Sequence, residues 1–78
     1  DLAPAGPLVR GDGSLIDPAA RIEGFCVLGQ NARLEAGALV RDSLLLPGAV
    51  VTAGARVSGA VLGDGFVARG EIVGGAHA

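Results

Sequence analysis

The sequence predicts an all-β fold, a left-handed parallel β-helix (a hexapeptide-repeat solenoid) of about three to four triangular coils. Two observations predict it: apolar residues recur every six positions, and a longer repeat of 17 residues relates every third unit. An α-helix would need apolar recurrence near 3.6 residues, and a half-buried strand would need recurrence near 2. Six residues per side and three sides per turn therefore indicate a triangular solenoid.

The six-residue repeat runs from Ile16 to Val73, and two of its units have only five residues. In order, the units are IDPAAR, IEGFCV, LGQNAR, LEAGAL, VRDSL, LLPGAV, VTAGAR, VSGAV, LGDGFV and ARGEIV. The first positions are Ile16, Ile22, Leu28, Leu34, Val40, Leu45, Val51, Val57, Leu62 and Ala68. The fifth positions are Ala20, Cys26, Ala32, Ala38, Leu44, Ala49, Ala55, Val61, Phe66 and Ile72. We expect both sets to face the interior, and each side to pair in parallel with the equivalent side one coil away.

The corners and the coil length follow from the same repeat. Fourth positions hold residues that tolerate a positive φ and so suit corners: Asn31, Gly37, Gly48, Gly54 and Gly65. Residues at equal places in successive coils are spaced by 17: Leu28, Leu45 and Leu62; Leu34, Val51 and Ala68; Val40, Val57 and Gly74. A coil is thus expected to contain units of six, six and five residues.

Length and composition favour one small domain with a thin aliphatic core. The chain has 78 residues, of which 14 are Gly and only two are aromatic, so a conventional globular core is hard to build. The predicted organisation is a lead-in or linker at residues 1–14, the β-helix at 15–73 and a C-terminal tail at 74–78. The Pro-containing start, residues 1–7, is expected to be a linker remnant or a frayed terminus.

The charges argue against nucleic acid and membrane surfaces as partners. Eight acids stand against six bases, which gives a net charge of −2, and no basic cluster occurs. The bases, expected at solvated outer positions, are Arg10, Arg21, Arg33, Arg41, Arg56 and Arg69. The uncharged run 43–55 is shorter than the roughly 20 apolar residues that span a bilayer.

Few residues are candidates for chemistry. Cys26, the only cysteine, cannot form an internal disulfide, and at an inward position it is expected to act as a small hydrophobe. The stretch 11–13, Gly-Asp-Gly, lacks the Lys and the helix of a phosphate loop, which favours a surface turn. Well-separated acids expected to cap turns are Asp12, Asp17, Asp42 and Asp64. We predict no catalytic, cofactor-binding or metal-binding residue.

The sixth positions should point outwards, and several of them are apolar. Besides Arg21, Arg33 and Arg56, they include Val27, Leu39, Val50, Val67 and Val73. These five aliphatic residues could form an apolar strip that serves as a subunit or domain interface. The alternative is that they only reflect the preference of short strands for β-branched residues.

The segment DSLLLPGAVVTAGARVSGAVLGDG, residues 42–65, resembles the C-terminal β-helix of bacterial sugar-1-phosphate nucleotidyltransferases. Examples are the mannose-1-phosphate guanylyltransferases and glucose-1-phosphate adenylyltransferases. The similarity covers roughly residues 15–73 and includes the five-residue unit before each LPG or LGDG step. It implies a non-catalytic domain of a cytoplasmic enzyme, which acts in homo-oligomerisation and in regulation. It also implies that the chemistry belongs to an N-terminal nucleotide-binding domain, so that this chain needs no cofactor.

Two alternatives stay open beside this resemblance. Hexapeptide acyltransferases have similar repeats and use a His as general base, but the only His here, His77, lies beyond the last clear unit. Hexapeptide carbonic anhydrases need three His around a metal and are excluded by this count. The other alternative is a free-standing scaffold that self-associates, because open solenoid ends invite a partner.

Overall fold

The computed structural model describes residues 8–77, which form thirteen short β-strands wound into about four triangular turns. The strands are β1 (Leu8–Arg10), β2 (Leu15–Ile16), β3 (Arg21–Glu23), β4 (Cys26–Leu28), β5 (Arg33–Leu34), β6 (Leu39–Arg41), β7 (Leu44–Leu45), β8 (Val50–Val51), β9 (Arg56–Ser58), β10 (Val61–Leu62), β11 (Val67–Ala68), β12 (Glu71–Val73) and β13 (Ala76–His77).

Each strand pairs in parallel with the strand three places along the chain, which builds three sheets. Sheet I contains β1, β4, β7, β10 and β13, sheet II contains β2, β5, β8 and β11, and sheet III contains β3, β6, β9 and β12. The three sheets are the sides of a prism whose interior is lined by alternate residues. The predicted all-β parallel solenoid is confirmed.

The strand register gives the length of each turn. On sheet II, Leu15 pairs with Arg33, Arg33 with Val50, and Val50 with Val67, so one turn of 18 residues precedes two of 17. On sheet III the last turn is shorter, because Arg56 pairs with Glu71.

This short last turn corrects one member of the predicted 17-residue series. Val57 pairs with Ile72 and not with Gly74. The chain bends at Gly70, whose φ of 69° allows a tight corner only two residues after the buried Ala68. The connection between β11 and β12 is therefore shortened.

The core is a stack of aliphatic residues from the predicted inward positions. First positions that are almost fully buried are Leu28, Leu34, Val40, Leu45, Val51, Val57, Leu62 and Ala68, and buried fifth positions are Cys26, Ala32, Ala38, Ala49 and Ala55. Partly buried residues packed on this stack are Ile16, Ala20, Ile22, Phe66 and Ile72. These predictions of inward-facing positions are confirmed.

The predicted inward positions of Leu44 and Val61 are wrong. Leu44 pairs with Val61 and with Val27, and all three residues lie on the outer side of sheet I, partly exposed. The neighbouring inward places belong to Ser43, 4% exposed, and Ala60, 2% exposed.

Leu44 and Val61 face outwards because of which residue is missing from each five-residue unit. Asp42 and Gly59 have positive φ values of 49° and 60°, as Gly24 has at the same corner one turn earlier. In the six-residue unit Phe25 stands between that corner and the inward residue, whereas no such residue follows Asp42 or Gly59. The missing residue is therefore a corner residue, and the side chains that follow keep their orientation.

The predicted corner residues all have positive φ. The values are 60° for Asn31, 74° for Gly37, 77° for Gly48, 73° for Gly54 and 66° for Gly65. Positive φ turns the chain sharply at little steric cost to Gly or Asn. This prediction is confirmed.

Paired strands extend beyond residues 15–73. Strand β1 lies in the predicted lead-in and pairs with β4, and the N–H of Gly11 continues this pairing by donating to Leu28 O at 2.7 Å. Strand β13 lies in the predicted tail and pairs with β10. The predicted linker at 1–7 lies outside the described residues.

Candidate functional site: the outer face of sheet I

One row of side chains on sheet I is apolar from the first strand to the last. The row consists, in register, of Val9, Val27, Leu44, Val61 and Ala76, and we call it the outer ladder. Val9 is 54% exposed and the other four are partly or largely exposed. Of this row, the repeat predicts only Val27 as an outer residue, because it places Leu44 and Val61 in the interior.

Charges interrupt the outer rows of the other two sheets. The outer row of sheet II is Leu15, Arg33, Val50 and Val67. The outer rows of sheet III are Arg21, Leu39, Arg56 and Glu71, and Glu23, Arg41, Ser58 and Val73. Sheet I is thus the one sheet whose outer row, within residues 8–77, carries no charge.

The five residues predicted as an interface lie on three different sheets. Val50 and Val67 are neighbours on sheet II. Val27 lies on sheet I, and Leu39 and Val73 lie in different rows of sheet III. The structure therefore brings together one pair of the five, and whether that pair binds a partner stays a prediction.

A groove of about 330 Å³ runs beside the outer ladder. It is lined by Phe25, Val27, Asp42, Ser43, Leu44, Gly59, Ala60 and Val61. Phe25 borders the groove and is 53% exposed, which is unusual for so large an apolar side chain. Phe25 is not among the predicted interface residues, although its place as an extra corner residue is a signal that could identify it.

Phe25 is held at this corner by its backbone. Its N–H donates to Asp42 Oδ1 at 3.0 Å, and Asp42 Oδ2 lies 4.0 Å from Arg41 Nε. A side chain at Gly24 would collide with the Asp42 carboxylate, so the corner depends on the pair of Gly24 and Asp42. Next to it, a Cβ added at Gly59 would meet no atom within 4 Å, which leaves that part of the groove open.

A second groove, of about 260 Å³, lies on sheet II. It is lined by Leu15, Ile16, Asp17, Arg33, Leu34, Glu35 and Ala36. The Glu35 carboxylate accepts a bond from Ala53 N–H at 3.2 Å, so it supports a corner of the next turn.

Cys26 is fully buried, as predicted for a small hydrophobe. Its thiol lies 3.5 Å from Glu23 O and 3.7 Å from Val40 O, both of which can accept a weak bond from S–H. Buried thiols held in this way are structural.

The predicted turn residues lie at corners. The 11–13 segment forms the corner between β1 and β2, and Asp17 Oδ1 accepts a bond from Ala19 N–H at 2.8 Å. A carboxylate that bonds the backbone two residues on stabilises a turn. All six Arg residues are exposed, as predicted. Arg10, however, lies in the inward row, in register with the buried Leu28, and its guanidinium donates to Ser14 O at 2.9 Å.

His77 packs against a core residue near the C-terminal end of the stack. Its ring centroid is 5.7 Å from that of Phe66, and its Nε2 lies 2.9 Å from the Gly74 carbonyl oxygen, to which it can donate. In residues 8–77 no three His, Cys, Asp or Glu side chains are grouped as metal ligands. Over the same residues no helix is long and apolar enough to cross a membrane.

Comparison with models of protein families, with curated proteins and with solved structures gave no match to this chain.

Proposed function

We propose that this chain is a non-catalytic β-helix domain that holds copies of a protein together. The observation that supports this proposal is the outer ladder, a continuous apolar row on the outer side of sheet I. Contiguous apolar surface of this kind is typical of interaction sites, because water disfavours its exposure. Short strands stacked in parallel also make a stiff support for such a surface.

We further propose that the domain belongs to a bacterial, cytoplasmic sugar-1-phosphate nucleotidyltransferase, and that its coils wind with a left hand. The support is the resemblance of residues 42–65, which contain both five-residue units. Nucleotidyl transfer would then occur in an N-terminal domain, and this chain would contribute assembly and regulation. The coding sequence upstream of Asp1 tests this parentage: a nucleotide-binding domain there supports it, and its absence favours a free-standing scaffold.

Assembly itself is tested by size-exclusion chromatography with light scattering over a range of concentrations. We expect a mass that is a multiple of the monomer mass of 7.6 kDa at high concentration and that falls on dilution. A mass that stays at 7.6 kDa throughout would overturn the assembly role. The acyltransferase alternative makes a different prediction, an acyl-transfer activity that the substitution His77→Ala removes.

A further inference from the structure

We infer that the outer ladder binds a second copy of this chain, with the coils of the two copies antiparallel and a two-fold axis that runs along the strands at Leu44. This inference rests on the proposed assembly role and specifies its surface and partner. Such a contact is isologous, which means that each copy uses the same surface.

The charge pattern favours contact between two copies of sheet I. A contact between two sheets removes their outer rows from water, and a charged side chain that loses its water without a matched partner costs free energy. Sheet II would bury Arg33 in this way, and both outer rows of sheet III contain charged side chains. The outer ladder carries no charge and avoids this cost.

The sizes of the ladder residues match when the ladder is reversed. Leu44 is the middle of five, and an axis there sets it against its own copy. The reversal sets Val27 against Val61, which are identical side chains, and Val9 against the smaller Ala76. The largest residues therefore meet at the centre and the smallest lies at one end, an arrangement that two sheets at the usual spacing of about 10 Å can accommodate.

Phe25 and the open corner at Gly59 are related by the same axis. Phe25 precedes the second strand of sheet I, and Gly59 precedes the fourth. Reversal about the third strand therefore places the exposed ring of Phe25 at the Gly59 end of the partner's groove, where the corner has no side chain. Buried aromatic side chains in pockets contribute most of the free energy of many interfaces.

Asp42 is the one charged residue that lines the groove, and it lies at the corner beside the axis. Its carboxylate accepts the Phe25 N–H and lies near the Arg41 guanidinium. The two-fold axis brings this carboxylate towards its own copy, and the Arg41 guanidinium beside each carboxylate reduces the repulsion between them.

The size of one side sets the expected strength of the dimer. The accessible surface of the chain is 4390 Å². A standard interface buries about 800 Å² per partner, which is roughly a fifth of this surface and would take most of one of the three sides. We therefore expect a dimer that dissociates on dilution.

Cross-linking between introduced cysteines tests the surface and its orientation. In a Cys26→Ala background, Leu44→Cys should cross-link to itself with a short bis-maleimide reagent, which is needed because packed sheets lie further apart than a disulfide reaches. Val9→Cys alone should not cross-link, whereas a mixture of Val9→Cys and Ala76→Cys should. The matched control is Val67→Cys, an outer position of sheet II.

A second variant tests the role of the aromatic ring. Phe25→Ala should raise the dissociation constant of the dimer at least tenfold, because it removes two ring contacts per dimer. The control is Leu15→Ala, an equally exposed residue on sheet II, for which we expect no change. Circular dichroism of each variant verifies the fold.

The outcomes separate this inference from the proposed function. Cross-linking of Val9→Cys to itself, or of Val67→Cys in place of Leu44→Cys, would overturn the inferred geometry while leaving assembly in place. An unchanged dissociation constant for Phe25→Ala would do the same. A parent chain that stays monomeric at every concentration would overturn both.

Discussion

Ser43 shows how a single polar side chain is accommodated in the wall of an apolar prism. Its hydroxyl donates to Arg41 O at 2.8 Å and accepts from Ala60 N–H at 3.2 Å. The equivalent places one turn on either side hold Cys26, whose thiol makes only weak bonds, and Ala60, which has no polar side chain. The hydroxyl thus links two successive turns at the corner where the chain is one residue short.

Ser43→Ala should lower the free energy of unfolding by about 1–3 kcal/mol, because the buried N–H of Ala60 would lose its acceptor. Chemical denaturation measures the change. The control is Ser58→Ala, an outer position that is partly exposed, where water can replace the hydroxyl. Equal effects of the two substitutions would show that the Ser43 hydroxyl does not stabilise the turn.

At the scale of the strand, stability comes from stacking of like residues along the prism. Strands of two or three residues are too short to be stable alone, so each depends on the turns beside it. Leu28, Leu45 and Leu62 lie directly above one another, and all are at most 1% exposed. Removing the middle member leaves a cavity that both neighbours border.

Leu45→Ala should lower the free energy of unfolding by about 2–5 kcal/mol, as is usual for a fully buried Leu. The adjacent residue supplies the control: Leu46 is partly exposed, so Leu46→Ala should have a clearly smaller effect. Thermal unfolding followed by circular dichroism measures both. A Leu46→Ala effect as large as that of Leu45→Ala would contradict the described burial.

The repeat predicted the interior well because period and residue type gave the same answer at most positions. Leu28 and Ala32, for example, are apolar, suited in size to their places, and buried. The five-residue units were harder, because the sequence shows that a residue is missing but not which one. Only the corner geometry at Asp42 shows that Leu44 faces outwards.

The repeat does not predict the candidate site, for that same reason. With Leu44 and Val61 in the interior, Val27 has no apolar neighbours on its own sheet. The predicted strip instead joins outer residues of different sheets, such as Leu39 and Val50, because sixth positions alternate among three sides. A repeat in one dimension gives inward and outward positions more reliably than it gives the side to which each belongs.

At the scale of the whole molecule, the three sides of the prism differ in their outer surface although they share one core. The outer rows of two sides carry charged side chains among their aliphatic ones, whereas the third has the uncharged outer ladder, with Phe25 and the open Gly59 corner beside it. The proposed function depends on this difference between the sides.

Sedimentation equilibrium of Val61→Asp beside Val67→Asp tests most directly whether the outer ladder of sheet I is the side that binds a partner. Both substitutions put a carboxylate on an outer strand position, the first on sheet I and the second on sheet II. We expect Val61→Asp to weaken self-association about a hundredfold, since burying an unpaired charge costs about 3 kcal/mol or more, and Val67→Asp to have no effect. Dissociation by Val67→Asp with normal assembly of Val61→Asp would contradict the account and would instead favour the Val50 and Val67 pair as the interface.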